Sequence, residues 1–171
     1  MTCVAPGFIF TPLLSMTIQL TPIGYIRSSR RDPVDDNWDA VECQLELAPE
    51  IDAEALRGIE EFSHVELVFQ FHLVPEAKVE RGSRHPRGNA DFPRVGIFAQ
   101  RGKARPNRLG VSVARLVHKE DRVLTLRGLD ALDGSPVLDL KPVMHEFLPR
   151  GVIEQPAWTR VIMRNYWEPS A

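Results

Sequence analysis

The stretch VGIFAQRGKARPNRLGVSV, residues 95–113, decides the fold that this sequence predicts. Both of its ends, 95–100 and 109–113, show the alternation with period two that is typical of sheet segments. Gly102 and the pair Pro106-Asn107 supply residues that favour a turn between them. The stretch therefore predicts two strands joined by a basic loop.

The loop between these strands is unusually basic. It holds Arg101, Lys103, Arg105 and Arg108, and residues 78–108 as a whole carry a charge of +7 in a chain of net charge −2. The remaining residues therefore sum to −9. This asymmetry indicates a local anion-binding face on an otherwise acidic protein, although a solvated charged loop explains the same pattern.

Length and composition predict one domain with its own core, because the chain has 171 residues and is 43% hydrophobic. We expect a flexible N-terminal extension over 1–16, a β-domain over 17–150 and a helical tail over 151–171. The two cysteines, Cys3 and Cys43, cannot form a disulfide framework. The five histidines follow no metal-binding spacing, so we expect no metal.

The N-terminal residues carry no recognisable targeting signal. Residues 1–15 lack a basic start and a cleavage motif, and they are too short and too interrupted by proline to span a bilayer. Met16 is either the biological start or part of an ordered arm. We therefore expect a cytoplasmic protein with no membrane contact.

Further alternating segments surround the opening stretch and predict a mainly β protein. They cover 17–27, 41–47, 64–72, 123–127 and 137–141, with a short helix after Asp52 and another after Pro156. Short antiparallel strands with helices only at the margins favour a single-sheet β-barrel. Trp38, in the polar loop 28–38, either stacks on a planar ligand or anchors the loop to the core.

Five ordered blocks of the sequence together resemble one known family. They are PIGYIRS (22–28), GIEEFSHV (58–65), VGIFAQR (95–101), RPNRLGVS (105–112) and LDALDGSPVLDLKP (129–142). These blocks are similar to the TsaA-like family, also called YaeB-like or TrmO, from about Leu20 to Pro142. The resemblance implies a β-barrel that binds S-adenosylmethionine and forms a homodimer. The characterised member of that family methylates N6 of threonylcarbamoyladenosine next to the tRNA anticodon.

The same resemblance implies a cofactor site. Residues 32–38 read DPVDDNW, where family members with the full pattern have a PRQPGL-type loop, and those members continue into a long C-terminal domain. Carried over by motif, the cofactor contacts are Asp35, Asp36, Asn37, His72, Leu73, Arg101, Val111, Arg127, Gly128, Leu129 and Asp130.

Methyl transfer from a sulfonium demands mainly alignment and a water-poor site. Arg101 could hold the methionine carboxylate, and Asp130 could bond the amino group or a ribose hydroxyl. Because a ureido nitrogen is a poor nucleophile, a base would help, and Asp130, His72 and Asp133 are candidates by residue type. We predict Asp130 and His72 as the catalytic residues.

The basic face then predicts a tRNA partner. The residues expected to contact RNA are Arg84, Arg87, Lys103, Arg105 and Asn107. The sequence thus predicts an S-adenosylmethionine-dependent tRNA methyltransferase, and the homodimer would cover the apolar face of Trp158, Ile162 and Tyr166. A barrel that binds S-adenosylmethionine or RNA without catalysis is the alternative, and a purely structural dimer is a third reading.

Overall fold

A computed structural model describes residues 16–167. The predicted N-terminal extension therefore lies outside the described residues except for Met16, and so does Cys3. The strands are β1 (Gly24–Ser28), β2 (Glu42–Leu47), β3 (His64–Gln70), β4 (Ser83–Arg84), β5 (Val95–Gly96), β6 (Leu109–Glu120), β7 (Val123–Arg127) and β8 (Pro136–Pro142).

Helical structure is short and peripheral. One α-helix, α1, covers Ala157–Ile162 in the predicted tail. Single 3-10 turns cover Ala53–Leu56, Ile59–Glu61, Glu76–Lys78, Pro86–Gly88, Ile97–Ala99, Pro106–Arg108 and His145–Phe147. The predicted helix after Asp52 is the first of these turns, and the Asp52 side chain accepts a hydrogen bond from the Glu54 amide at 2.8 Å. No helix among residues 16–167 is long and apolar enough to cross a membrane.

Six of the strands close into one antiparallel barrel in the order β1-β2-β7-β6-β3-β8, and this confirms the predicted mainly β barrel. β3 and β6 pair over seven positions, from His64 opposite Arg115 to Gln70 opposite Leu109. The ring closes between β1 and β8, where only two residue pairs are in register: Gly24 with Val137 and Tyr25 with Pro136. β4 and β5 form a separate two-stranded sheet.

The alternation seen in the sequence fills the barrel interior. The largest fully buried side chains of the strands are Ile26, Leu45, Val65, Leu67, Phe69, Leu124, Leu126 and Val137. Gly110 lies beside this core, because a Cβ there would come within 2.5 Å of the Phe69 ring. Phe69 is buried and cannot move aside, so the Leu-Gly-Val start of β6 needs a residue without a side chain at this point.

The structure corrects the prediction for the first half of the opening stretch. Residues 95–96 form β5, which pairs with β4 and not with β6, and Ile97–Ala99 turn into a 3-10 helix. The Gln100 side chain donates hydrogen bonds to the carbonyls of Arg84 and Val95, at 3.1 and 3.0 Å. These bonds hold together the two-stranded sheet of β4 and β5, which we call the side sheet. The predicted strand over 95–100 is therefore reduced to residues 95–96, and it does not pair with the strand that begins at Leu109.

The direction of the strands places three connections at one end of the barrel. The β1–β2 loop (29–41), the long β3–β6 connection (71–108) and the β7–β8 loop (128–135) all leave from that end. We call it the site end, because every predicted site residue except Val111 and Arg127 lies on these three connections. Val111 is near the start of β6 and Arg127 ends β7, so both are at the same end.

Candidate functional site

An acidic segment and two cations meet at the site end. The Arg87 guanidinium donates two hydrogen bonds to the Asp36 carboxylate, at 2.8 and 2.7 Å. Lys103 donates to Asp35 at 2.8 Å, and Arg87 also lies 3.9 Å from that carboxylate. We call these four residues the paired cluster. Asp35 and Asp36, which the sequence predicts as cofactor contacts, therefore neutralise the charges of Lys103 and Arg87, which it predicts as RNA contacts.

Arg30 holds the acidic segment in place. Its guanidinium donates hydrogen bonds to the carbonyls of both Asp36 and Asn37. The guanidinium carbon, Cζ, lies 4.5 Å from the centre of the Trp38 ring. Trp38 is only 4% exposed. Of the two roles left open by the sequence, the structure therefore supports the anchor that pins the loop to the core.

Residues 165–167, the last that the structure describes, lie directly on the same loop. The amides of Asn37, Trp38 and Asp39 donate in turn to the carbonyls of Asn165, Tyr166 and Trp167, at 3.0, 2.9 and 2.8 Å. These three hydrogen bonds fix residues 165–167 beside the acidic segment. They bring Tyr166, which the sequence suggested only as part of an apolar face, into the site.

Asp130 and Arg101 both act on the Tyr166 hydroxyl. The Tyr166 hydroxyl donates a hydrogen bond to Oδ2 of Asp130. Burial, and then the Asp130 charge, raise the pKa of Tyr166 well above its usual range, while the positive charge of Arg101 lowers it in part. The phenol therefore stays protonated and acts as a donor.

Both charged groups keep free capacity for a ligand. Oδ1 of Asp130 is buried and has no hydrogen-bond partner among residues 16–167. Arg101 donates to the Val111 carbonyl, but it forms no ion pair with a carboxylate in the described part of the chain. We call Arg101, Asp130 and Tyr166 the open cluster. An open carboxylate oxygen and an unpaired guanidinium suit a ligand that carries both charges.

His72 occupies a second corner of the site end. Its Nδ1 lies 3.3 Å from Oγ of the buried Ser135, on the β7–β8 loop. Burial lowers the pKa of His72, and the Gln70 carbonyl and the Asp133 charge oppose this in part. Asp133 itself accepts a hydrogen bond from the Ser28 amide at 3.0 Å. A neutral imidazole at neutral pH is able to accept a proton.

The other predicted cofactor residues differ in what they can offer. Leu73 and Val111 are exposed, whereas Leu129 is fully buried in the core, so its side chain cannot contact a ligand in this arrangement. Arg127 pairs with Asp39 at 3.5 Å. Gly128 has φ of 79° and donates its amide to the Val41 carbonyl at 3.0 Å, which shapes the loop that leads to Asp130.

The remaining predicted RNA contacts lie around the side sheet. Arg105 donates to the Gln100 carbonyl at 3.3 Å, and Arg84 passes over Gly102, where a Cβ would come within 2.7 Å of its guanidinium. Neither arginine forms an ion pair with a carboxylate of residues 16–167. Asn107 is exposed with φ of 63°, in the left-handed region. The predicted RNA contacts therefore fall into a paired and an unpaired group.

Within residues 16–167, no three His, Cys, Asp or Glu side chains come close enough to hold a metal ion. Cys43 is buried in the barrel, and burial raises the pKa of its thiol to about 12. A thiol with such a pKa is protonated at neutral pH and is a poor nucleophile.

Fold and site together define a class of protein: a six-stranded antiparallel β-barrel with charged side chains gathered on the loops of one end. The family of the tRNA-methyltransferase O N-terminal domain matches residues 29–147. The chain belongs to this family, and the resemblance seen in the five sequence blocks is confirmed.

Individual relatives agree with this assignment. The chain is 39% identical over 140 residues to a "Probable S-adenosyl-L-methionine-binding protein" of Pyrococcus abyssi, with 79% of this chain and 73% of the relative covered. It is 42% identical over 104 residues to the tRNA (adenine(37)-N6)-methyltransferase of Escherichia coli, with 57% of this chain and 43% of the relative covered.

A solved structure is similar as well. A crystal structure of TrmO from Pseudomonas aeruginosa has a TM-score of 0.69 and 35% sequence identity, and the match covers 85% of this chain and 63% of the other. The chain thus spans less than two thirds of both TrmO from P. aeruginosa and the E. coli enzyme.

Proposed function

We propose that this protein is an S-adenosylmethionine-dependent tRNA methyltransferase that acts in the cytoplasm on N6 of threonylcarbamoyladenosine next to the anticodon. The observation that carries the proposal is the open cluster. Arg101 has no carboxylate partner among residues 16–167, and Asp130, which is held by the half-buried Tyr166, has one buried carboxylate oxygen without a donor. Relatives named as S-adenosyl-L-methionine-binding proteins and as a tRNA methyltransferase support the choice of ligand and acceptor.

The charges of the open cluster fit the amino acid end of this cofactor. Arg101 would bind the carboxylate, and Oδ1 of Asp130 would accept a hydrogen bond from the ammonium group. Both contacts are charge-assisted and therefore stronger than neutral hydrogen bonds. When bound, S-adenosylmethionine supplies an electrophilic methyl group on a sulfonium.

The acceptor nitrogen must lose a proton, and His72 is the base that the structure favours. Its depressed pKa leaves the imidazole neutral at neutral pH, and Ser135 constrains the orientation of the ring. Asp133 is already held by the Ser28 amide and lies 3.6 Å from Arg31. Asp130 is engaged by Tyr166, so we assign Asp130 to binding and His72 to proton transfer.

The tRNA backbone would lie across the side sheet. Arg84 and Arg105 form no ion pair among residues 16–167 and Asn107 is exposed, whereas Arg87 and Lys103 must first leave Asp36 and Asp35. Phosphate contacts position a nucleic acid without reading its sequence. The target adenosine would therefore be selected at the site end itself.

We also propose that the protein forms a homodimer, although through a different surface from the one first expected. Trp158, Ile162 and Tyr166 are half-buried against their own chain, and the Trp158 ring lies 6.4 Å from that of Phe92. The exposed apolar residues of β6 are Val111, Val113 and Val117. A two-fold contact along this strand would cover them, and light scattering should then give twice 19.3 kDa.

Transfer of a labelled methyl group tests the activity. The protein is incubated with S-adenosylmethionine carrying a tritiated methyl group and with total tRNA, and the tRNA is then digested to nucleosides. We expect label in one modified adenosine for the parent protein and much less for Arg101→Ala. If the protein binds the cofactor but leaves all label on it, the chain is a non-catalytic binder and the enzyme proposal is wrong.

A further inference from the structure

The segment that follows β8 runs back along the barrel to the site end. β8 ends at Pro142 at the opposite end, where the Val143 amide donates to the His64 carbonyl at 3.0 Å. Residues 143–156 then lead to α1, and the contact of Trp158 with Phe92 places this helix beside the β3–β6 connection. We call residues 143–167 the strap.

The strap ends in a fixed position. Three consecutive amides of the β1–β2 loop donate to the carbonyls of residues 165–167. The Tyr166 ring is further packed edge-on against Trp167, with centroids 5.0 Å apart. These backbone and ring contacts therefore hold the Tyr166 hydroxyl at Asp130.

The strap supplies a contact that the family domain alone does not contain. Tyr166 lies outside residues 29–147, which match the family, while its partner Asp130 lies inside them. The hydroxyl occupies Oδ2 of Asp130 and leaves Oδ1 as the buried oxygen without a partner among residues 16–167. One carboxylate oxygen is thus held, and the other is open.

We infer that Tyr166 is a positioning residue of the ligand site: its hydroxyl orients Asp130 so that Oδ1 receives the ammonium group of an α-amino acid moiety whose carboxylate binds Arg101. This inference rests on the proposed function, because it takes the amino acid end of S-adenosylmethionine as the ligand. The inference adds two points to the proposed function. The strap is part of the site, and removal of the Tyr166 hydroxyl weakens ligand binding although this hydroxyl does not itself contact the ligand.

The first test removes only the hydroxyl. Tyr166→Phe keeps the ring and its packing on Trp167, and calorimetry should show about two- to tenfold weaker binding of S-adenosylmethionine, an effect of the size that a single lost hydrogen bond typically has. The matched control is Tyr25→Phe, which removes a hydroxyl from the only other tyrosine of the chain, an exposed residue of β1. The control should bind as the parent does. Unchanged binding by Tyr166→Phe would overturn the inference.

A second measurement separates positioning from a structural effect. In an Asp130→Asn background, Tyr166→Phe should have little further effect on affinity, since the hydroxyl acts through that carboxylate. 5′-Methylthioadenosine keeps the nucleoside and lacks the amino acid group, so its affinity should be the same for the parent and for Tyr166→Phe. An equal loss for both ligands would mean that Tyr166 supports the fold only, and the inference would be wrong.

The proposed function fails in a different way. A parent protein that binds neither ligand removes the cofactor assignment, and the inference with it. A parent that binds both ligands, with a Tyr166→Phe variant weakened only toward S-adenosylmethionine, supports the cofactor assignment and the inference, while methyl transfer to tRNA is tested separately by the labelled cofactor.

Discussion

The paired cluster and the open cluster lie at the same end of the barrel, and each combines acidic and basic side chains. In the paired cluster, Asp35 and Asp36 form ion pairs with Lys103 and Arg87 and neutralise their charges. In the open cluster, Arg101 has no carboxylate partner within residues 16–167, and Oδ1 of Asp130 is left without a donor. The difference lies in what each charge already contacts.

This difference changes how the basic stretch should be understood. Of its nine cations, Arg81, Arg87, Lys103 and Arg108 pair with carboxylates of Asp35, Asp36 or Glu76. A charge of +7 counted along the sequence therefore overstates the field that a polyanion would meet. Charges that are neutralised inside the protein hold loops together, and the unpaired ones are free to bind.

The largest expected effect comes from the unpaired guanidinium. Arg101→Ala should weaken S-adenosylmethionine binding by about 1.5–3 kcal/mol, since it removes a charge-assisted contact. Lys103→Ala, the matched change in the paired cluster, should alter that affinity little. Calorimetry on both variants checks this, and similar losses in the two would contradict the distinction between the clusters.

The second expected effect concerns tRNA. Arg84→Gln and Arg105→Gln should each lower the slope of log affinity against log salt by roughly 0.7–0.9, because each removes a free phosphate contact. Arg87→Gln and Lys103→Gln should change the slope less, since Asp36 and Asp35 already neutralise them. Filter binding at several salt concentrations measures the slopes. A parent with no tRNA affinity at low salt would remove the RNA partner and leave the cofactor proposal standing.

A smaller effect is expected on stability. Arg87→Gln breaks a bidentate pair whose two side chains are 29% and 27% exposed, and it should lower the free energy of unfolding by about 1 kcal/mol. Lys103→Gln breaks a pair at 40% and 46% exposure and should cost less. Urea unfolding measures both. Arg87→Lys should not restore the parent value, because a lysine cannot form the two parallel bonds.

The smallest effect concerns pH. Burial lowers the pKa of His72 from 6.5, so the unfolded chain binds a proton that the folded protein resists. The contribution of His72 to stability is therefore fully present above about pH 6.5 and is lost as the pH falls toward the folded pKa. The melting temperature of His72→Gln should fall less than that of the parent between pH 7 and pH 5. Parallel curves for the two proteins would show that His72 is not the cause.

Much of the fold follows from residue alternation. The segments predicted at 41–47, 64–72, 123–127 and 137–141 correspond to β2, β3, β7 and β8 within one or two residues, because one side of each faces the core. The prediction for 95–100 was wrong about the length of the strand and about its pairing, although Ile97 is buried and Phe98 is 75% exposed. Alternation tells which side chains are buried, but not which strand is the partner.

The site shows where sequence reasoning stops. Motif resemblance indicated residues that the structure gathers at the site end, and Arg101 and Asp130 are among them. It gave no sign that Asp35 and Asp36 would pair with Lys103 and Arg87, since 68 and 51 positions separate these partners. Tyr166 was interpreted as apolar surface, because no local pattern reveals a hydroxyl that reaches a carboxylate 36 positions away.

The short closing contact between β1 and β8 has a consequence for motion. Two residue pairs join these strands, against five between β1 and β2 and seven between β3 and β6. Three further backbone hydrogen bonds reinforce this seam, in which the amides of Ile23, Ile26 and Gly134 donate to the carbonyls of Val137, Ser135 and Ile26. The seam is still the shortest paired ladder of the barrel, and we expect local opening to start where the fewest paired residues must separate. Of the residues at this seam, Ser135 also contacts His72. Opening of the seam would therefore free His72, the candidate base, before the core opens, and the amides of the seam would exchange first.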